Sequence, residues 1–222
     1  SRNAGVANIE SLSSQTVVNG SDVTGILTLT VDQGDLTLAG DLSAGGIMFN
    51  LADSSASDME RDIVINDGVR LSSLGAATLL ATGDVLLSDI NVATGDLTIV
   101  ADGEVRDNAA GVDANVTMGS GELSIASQAM DLTLNVVNIK SLTTTQVDTA
   151  VTSMDIVSIN EKTGLGDIST NGTAIFQQTA GNLTLTGSIF TDDLDMDVLA
   201  GNLSQEQAAA MTVTNGFDLT AS

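Results

Sequence analysis

An all-β chain of short strands is what this sequence predicts, and a parallel β-helix is the arrangement that fits it best. Three observations carry the prediction. A five-residue phrase recurs: Gly, a polar residue, an aliphatic, Thr or Ser, and a second aliphatic. Hydrophobic residues make up 42% of the 222 but aromatic residues only 2%, so any core is aliphatic. Pro, Trp and Tyr are absent, where average usage would give about eleven Pro.

Taken in order, the phrase occurs loosely as Gly25-Ile26-Leu27-Thr28-Leu29 and cleanly as Gly34-Asp35-Leu36-Thr37-Leu38. In the clean copy Leu36 and Leu38 fall on one side of an extended chain. Asp35 and Thr37 fall on the other, which is the alternation of a half-buried strand. The leading glycine supplies a corner that a Cβ would obstruct. Strand-like runs follow at 46–51 and 62–66, with 53–61 between them as a helical turn or a polar loop. The phrase returns as Gly83-Asp84-Val85-Leu86-Leu87, Gly95-Asp96-Leu97-Thr98-Ile99 and Gly121-Glu122-Leu123-Ser124-Ile125. Further runs lie at 131–140, which opens Asp131-Leu132-Thr133-Leu134, and at 151–160, 173–177 and 195–199. Gly181-Asn182-Leu183-Thr184-Leu185 and Gly201-Asn202-Leu203-Ser204 are later copies, and Gly216-Phe217-Asp218-Leu219-Thr220 is a slipped one. The stretch 204–211, Ser-Gln-Glu-Gln-Ala-Ala-Ala-Met, is predicted to be a helix with Ser204 as its N-cap.

Spacing between copies is irregular. Leu36 to Val85 is 49 residues, Leu97 to Leu123 is 26 and Leu183 to Leu203 is 20. Such gaps hold turns of roughly twenty residues with loops inserted in some, as irregular solenoids allow. No linker or charge block divides the chain, so residues 1–222 are expected to form a single β-solenoid segment. The chain begins with Ser1 rather than Met, as a processed chain or a piece of a longer one would.

The competing arrangement is a pair of tandem antiparallel β-sandwiches. Asn19-Gly20, Asp67-Gly68, Asp102-Gly103, Asn171-Gly172 and Asn215-Gly216 are legitimate hairpin signals and support it. Sandwich cores lean on Trp, Tyr and Phe, however, and their edges commonly use Pro. Asn-Gly also serves as a plain left-handed corner, so it does not demand a hairpin.

Composition excludes several chemistries. Six Lys and Arg against 29 Asp and Glu give a net charge of −23, which disfavours nucleic acid and anionic membranes as partners. Without Cys or His there is no thiol nucleophile, disulfide, ordinary zinc site or Ser-His-Asp relay. No run approaches the length of a membrane span. Enzymatic function, cofactors and catalytic residues are therefore not expected. Lys140 and Lys162 read as solvated charges and the methionines as core filler.

Asp193, Asp195 and Asp197 are the most suggestive of a metal. They line one face of a strand, and carboxylates so placed suit Ca²⁺. The simpler reading buries Leu194, Met196 and Val198 and leaves the aspartates in water. Thr28/Thr30, Thr184/Thr186 and Thr212/Thr214, beside the run 143–145, would suit an ice-binding ladder only if the pair recurred on every coil. The five Asn-x-Ser/Thr sequons, such as Asn171-Gly172-Thr173, arise freely in Thr- and Asn-rich β sequence.

The Gly-Asp/Asn-Leu-Thr-Leu phrases, in their Thr, Ser, Asn and Gly background, resemble the repeats of bacterial filamentous-haemagglutinin-type adhesins and autotransporter passengers. The resemblance runs from about Thr24 to Leu219. It implies a right-handed parallel β-helix, exported across the outer membrane and acting in adhesion, aggregation or surface display. The family's amino-terminal secretion cap and carboxy-terminal barrel have no counterpart in these residues. The expectation is a secreted, non-enzymatic shaft or self-assembling filament, partnered by its own strand edges or by a surface receptor. A Ca²⁺-stiffened adhesive sandwich is the alternative.

Overall fold

Alternating aliphatic and polar residues form strand after strand, and every described strand pairs in parallel with a counterpart one coil away. The computed structural model describes residues 7–11, 15–51, 60–108, 114–119, 121–127, 129–137, 141–146, 153–158, 162–169, 173–178 and 182–221. Its strands are β1 (Ala7–Ser11), β2 (Gln15–Val31), β3 (Asp35–Asn50), β4 (Ile63–Ile65), β5 (Arg70–Ser73), β6 (Ala77–Ala81) and β7 (Val85–Leu87). Then come β8 (Asp89–Val92), β9 (Leu97–Ala101), β10 (Glu104–Asp107), β11 (Ala114–Met118), β12 (Glu122–Ser127), β13 (Ala129–Val137) and β14 (Ser141–Gln146). The last are β15 (Ser153–Ser158), β16 (Lys162–Ser169), β17 (Thr173–Gln178), β18 (Asn182–Leu185), β19 (Ile189–Val198), β20 (Leu203–Gln205) and β21 (Met211–Ala221). Together they stack as a β-solenoid of about eight turns.

Three ladders run along the axis and define three faces. The first passes from β3 through β4 and β7 to β10, and the second from β3 through β5 and β8 to β11. The third passes from β2 through β3, β6 and β9 to β12. β2 and β3 cross all three faces in one strand, and their register shifts at Val18/Asn19 and Val23/Ile26. Those irregularities are the corners. From β13 onward the first two faces share one continuous strand, since β13 pairs with both β10 and β11.

Each face sends its alternate side chains inward. Leu36, Ile63, Val85 and Val105 stack in register on the first face, and Leu42, Leu71, Ile90 and Val116 on the second. Leu29, Phe49, Leu79, Ile99 and Ile125 stack on the third. All are buried, and each such side chain stabilises the fold by about 1.5–3 kcal/mol relative to exposure. The aliphatic column is wide enough for two aromatic rings, Phe49 and Phe176, which are both buried.

The sandwich alternative fails on pairing, because no described pair is antiparallel. The Asn-Gly signals are corners and bends: Gly20 has φ +94° inside β2, and Gly68 has φ +71° in the turn before β5. Gly172 lies outside the described residues, as do 53–59 of the loop expected at 53–61.

The helix expected at 204–211 is also overturned. Ser204 and Gln205 belong to β20, in register with Thr184 and Leu185. The chain then turns, with Ala209 N–H donating to Glu206 O at 3.0 Å, and enters β21 at Met211. Eight residues are too few to hold a helix alone. The coil beneath supplies ready partners: Leu185 O accepts from Glu206 N–H at 2.9 Å, and Ala210 O accepts from Ile189 N–H at 2.8 Å.

Candidate functional site

Several of the polar residues at the corners, most of them directly after a glycine, do more than face water. Asp35 Oδ1 accepts the backbone N–H of Asp62 at 3.0 Å, Asp62 Oδ1 that of Asp84 at 2.7 Å, and Asp84 Oδ1 that of Glu104 at 2.8 Å. Four successive coils are thus tied at one corner by carboxylates, each serving the strand start above it. The same device recurs elsewhere. Asp96 Oδ1 accepts from Glu122 N–H at 3.0 Å, Asn182 Oδ1 from Asn202 N–H at 3.0 Å, and Asp41 Oδ1 from Arg70 N–H at 2.9 Å.

The corner glycines follow from this ladder. A Cβ on Gly83 would overlap the Asp62 carboxylate, and one on Gly103 the Asp84 carboxylate. The recurring Gly-Asp phrase is therefore a stacking unit, in which one coil's glycine makes room for the acid of the coil below.

Stacked acids repel. Burial pushes the Asp62 carboxyl above its ordinary value, and the charges of Asp35, Asp84 and Glu60 push the same way, against the bond from the Asp84 N–H. Some neutralisation is local. Arg106 lies 3.3 Å from Glu104 and 4.0 Å from Asp84, and Arg70 lies 3.5 Å from Asp89. Arg61 is buried beside this corner, its guanidinium donating to Leu51 O at 2.8 Å.

On β19, Leu194, Met196 and Val198 are buried, whereas Asp193, Asp195 and Asp197 occupy the alternate, half-buried positions. Their neighbours in register are Thr173, Ile175 and Gln177 on one side and Gly216, Asp218 and Thr220 on the other. Among the described residues no three metal-binding side chains come together. The threonine pairs do not form a double ladder. Thr28 lies in register with Met48, Thr78, Thr98 and Ser124, but Thr30 with Asn50, Leu80, Val100 and Ala126. Thr186 Oγ1 instead donates to Leu165 O at 2.9 Å. The side chains of 143–145, Lys140 and Lys162 lie outside the described residues.

A shallow polar groove of about 410 Å³ crosses the second face, lined by Arg70, Asp89, Asn91, Asn115 and Thr117. Asn115 Nδ2 donates to Asp89 Oδ1 at 2.8 Å, so the Asp89 carboxylate is shared between an amide and a guanidinium. That arrangement orders the outer surface. No protein family, curated protein or solved structure matches this chain.

Proposed function

We propose that this chain is a non-enzymatic structural segment of a secreted bacterial surface protein, a stiff β-helical shaft of the filamentous-haemagglutinin or autotransporter-passenger kind. The observation that supports it most is the alignment of buried aliphatic columns with corner carboxylates over successive coils. Each coil is bound to the next by a backbone ladder, a strip of core and side-chain ties, so bending has to strain all three together. The acidic, cation-poor exterior suits a solubilised surface protein and offers little to hold an acidic substrate.

The outer edge of β21 favours growth along the axis. Met211, Phe217 and Leu219 continue the inward rows of Ile189, Leu194 and Met196, yet Phe217 is 51% and Leu219 43% exposed. Those rows accept one more coil, whether from more of the same chain or from a second copy. Small-angle X-ray scattering tests the shaft reading. A rod of constant cross-section, roughly 40 Å long from eight coils at about 4.8 Å each, is expected. A profile of two beads, or polysaccharide-cleaving activity in the purified protein, would overturn it.

A further inference from the structure

The third face carries a charge-free lane on a molecule of net charge −23. From β2 to β12 its two outward rows are Thr28, Met48, Thr78, Thr98, Ser124 and Thr30, Asn50, Leu80, Val100, Ala126. None is ionisable. The acids flank these rows instead: Asp96 precedes β9, Glu122 opens β12, and Asp32 and Asp102 follow β2 and β9. Glu10 of β1, in register with Thr30, ends the second row. The other faces differ. The first has the acid ladder along its edge and Arg106 on its outward row, and the second has Arg70 and Asp89.

We propose that this lane is the lateral contact through which two copies of the shaft pair side by side, an inference that rests on the shaft reading above. Two strongly acidic molecules can approach closely only where neither presents carboxylates. This lane meets that condition from β2 to β9, with Glu122 at the start of β12 and Glu10 beyond β2 as its limits. The face packs on itself about a two-fold axis, with Thr78 and Leu80 of the middle coil nearest the axis. Sheet-on-sheet spacing then brings threonine methyls and the side chains of Met48, Leu80 and Val100 together, and leaves the acids at a hydrated rim.

Five coils, two residues wide, give a lane of roughly 300–400 Å² per molecule, against about 800 Å² in a standard stable interface. The pair formed by this length of shaft is therefore weak, and a longer shaft adds area coil by coil. Screening the rim acids strengthens it, so the association rises with salt, opposite to a contact made by charge attraction.

Sedimentation equilibrium at rising protein concentration, in low and high salt, tests the proposal. The wild-type chain is expected to move from monomer to dimer, more readily in high salt. Thr98→Glu and, separately, Leu80→Glu should each weaken dimerisation by at least about tenfold while scattering still reports the monomer's rod. Leu219→Glu, on the exposed edge of β21, should dimerise like wild type. A chain that stays a monomeric rod throughout, or a Thr98→Glu variant that dimerises like wild type, overturns the lateral contact and leaves the shaft reading standing. Loss of association in Leu219→Glu alone assigns the contact to the strand edge and equally overturns it. A wild-type profile that fits no rod removes the shaft reading itself.

Discussion

At Asp62 a single carboxylate both ties two coils and strains the corner it ties. Its pKa in the folded chain lies above the ordinary 3.8, with burial the first cause. A raised folded pKa means that ionised Asp62 weighs against the fold at neutral pH, and that this burden lifts as pH falls through the folded value. Asp62→Asn keeps an oxygen acceptor for the Asp84 N–H and removes the charge. Its melting temperature should equal or exceed wild type at pH 7, and the difference should vanish once both carry a neutral side chain in acid. A variant less stable than wild type at pH 7 would show that the charge itself holds the corner. Gly121 is the steric counterpart. Its φ is +125°, and a Cβ there would overlap the carbonyl oxygen of Gly95 in the coil below. Gly121→Ala should cost at least about 1–3 kcal/mol in urea unfolding, the usual cost of a strained backbone position. A loss below about 0.5 kcal/mol, the range of neutral surface changes, would remove the glycine's assigned role.

Within single strands, alternation made the inward residues legible. Leu36, Leu38, Leu97, Ile99, Leu123 and Ile125 are buried as the phrase implies. Leu97→Ala should therefore cost about 2–5 kcal/mol, whereas Leu74→Ala, at a corner and 64% exposed, should stay within about 0.5 kcal/mol. Equal losses at the two sites, read from urea midpoints, would contradict the inward columns. The irregular spacing of the phrase also has its explanation here. Leu36 and Val85 lie on the first face two coils apart, with Ile63 between them. Leu97 and Leu123 are one coil apart on the third, as are Leu183 and Leu203. The phrase marks corners of different faces, so no single period exists to be found. Even its position slips, because Leu165 pairs with Leu142 below and with Leu185, the second leucine of its phrase, above.

Over the whole molecule, coils of about twenty residues contact mainly their neighbours, which makes stability a sum of nearest-neighbour terms. Pulling from the two ends should unzip the solenoid coil by coil, each step releasing roughly twenty residues, or about 70 Å of extended chain. Force spectroscopy showing one all-or-none rupture would mean that the coils are coupled beyond nearest neighbours. Stacking also gathers what the chain scatters. The five outward pairs of the third face span positions 28 to 126 and form one uncharged lane only in register.

Local pattern shows that the chain is β, that its core is aliphatic, and which residues of strands such as β3, β9 and β12 point inward. These depend on a two-residue period and on local glycine corners, and both are carried by adjacent residues. What the polar residues do is set by the stacking of coils. Asp35, Asp62 and Asp84 alternate with aliphatics as water-facing residues would, and only a coil stacked above turns their free oxygens into acceptors for backbone N–H groups. The same holds for 204–211, where helical propensity yielded to Leu185 O and Ile189 N–H waiting one coil below. Partners some twenty residues away leave no trace in a local pattern, so register, corner and lane emerge only when the coils are stacked.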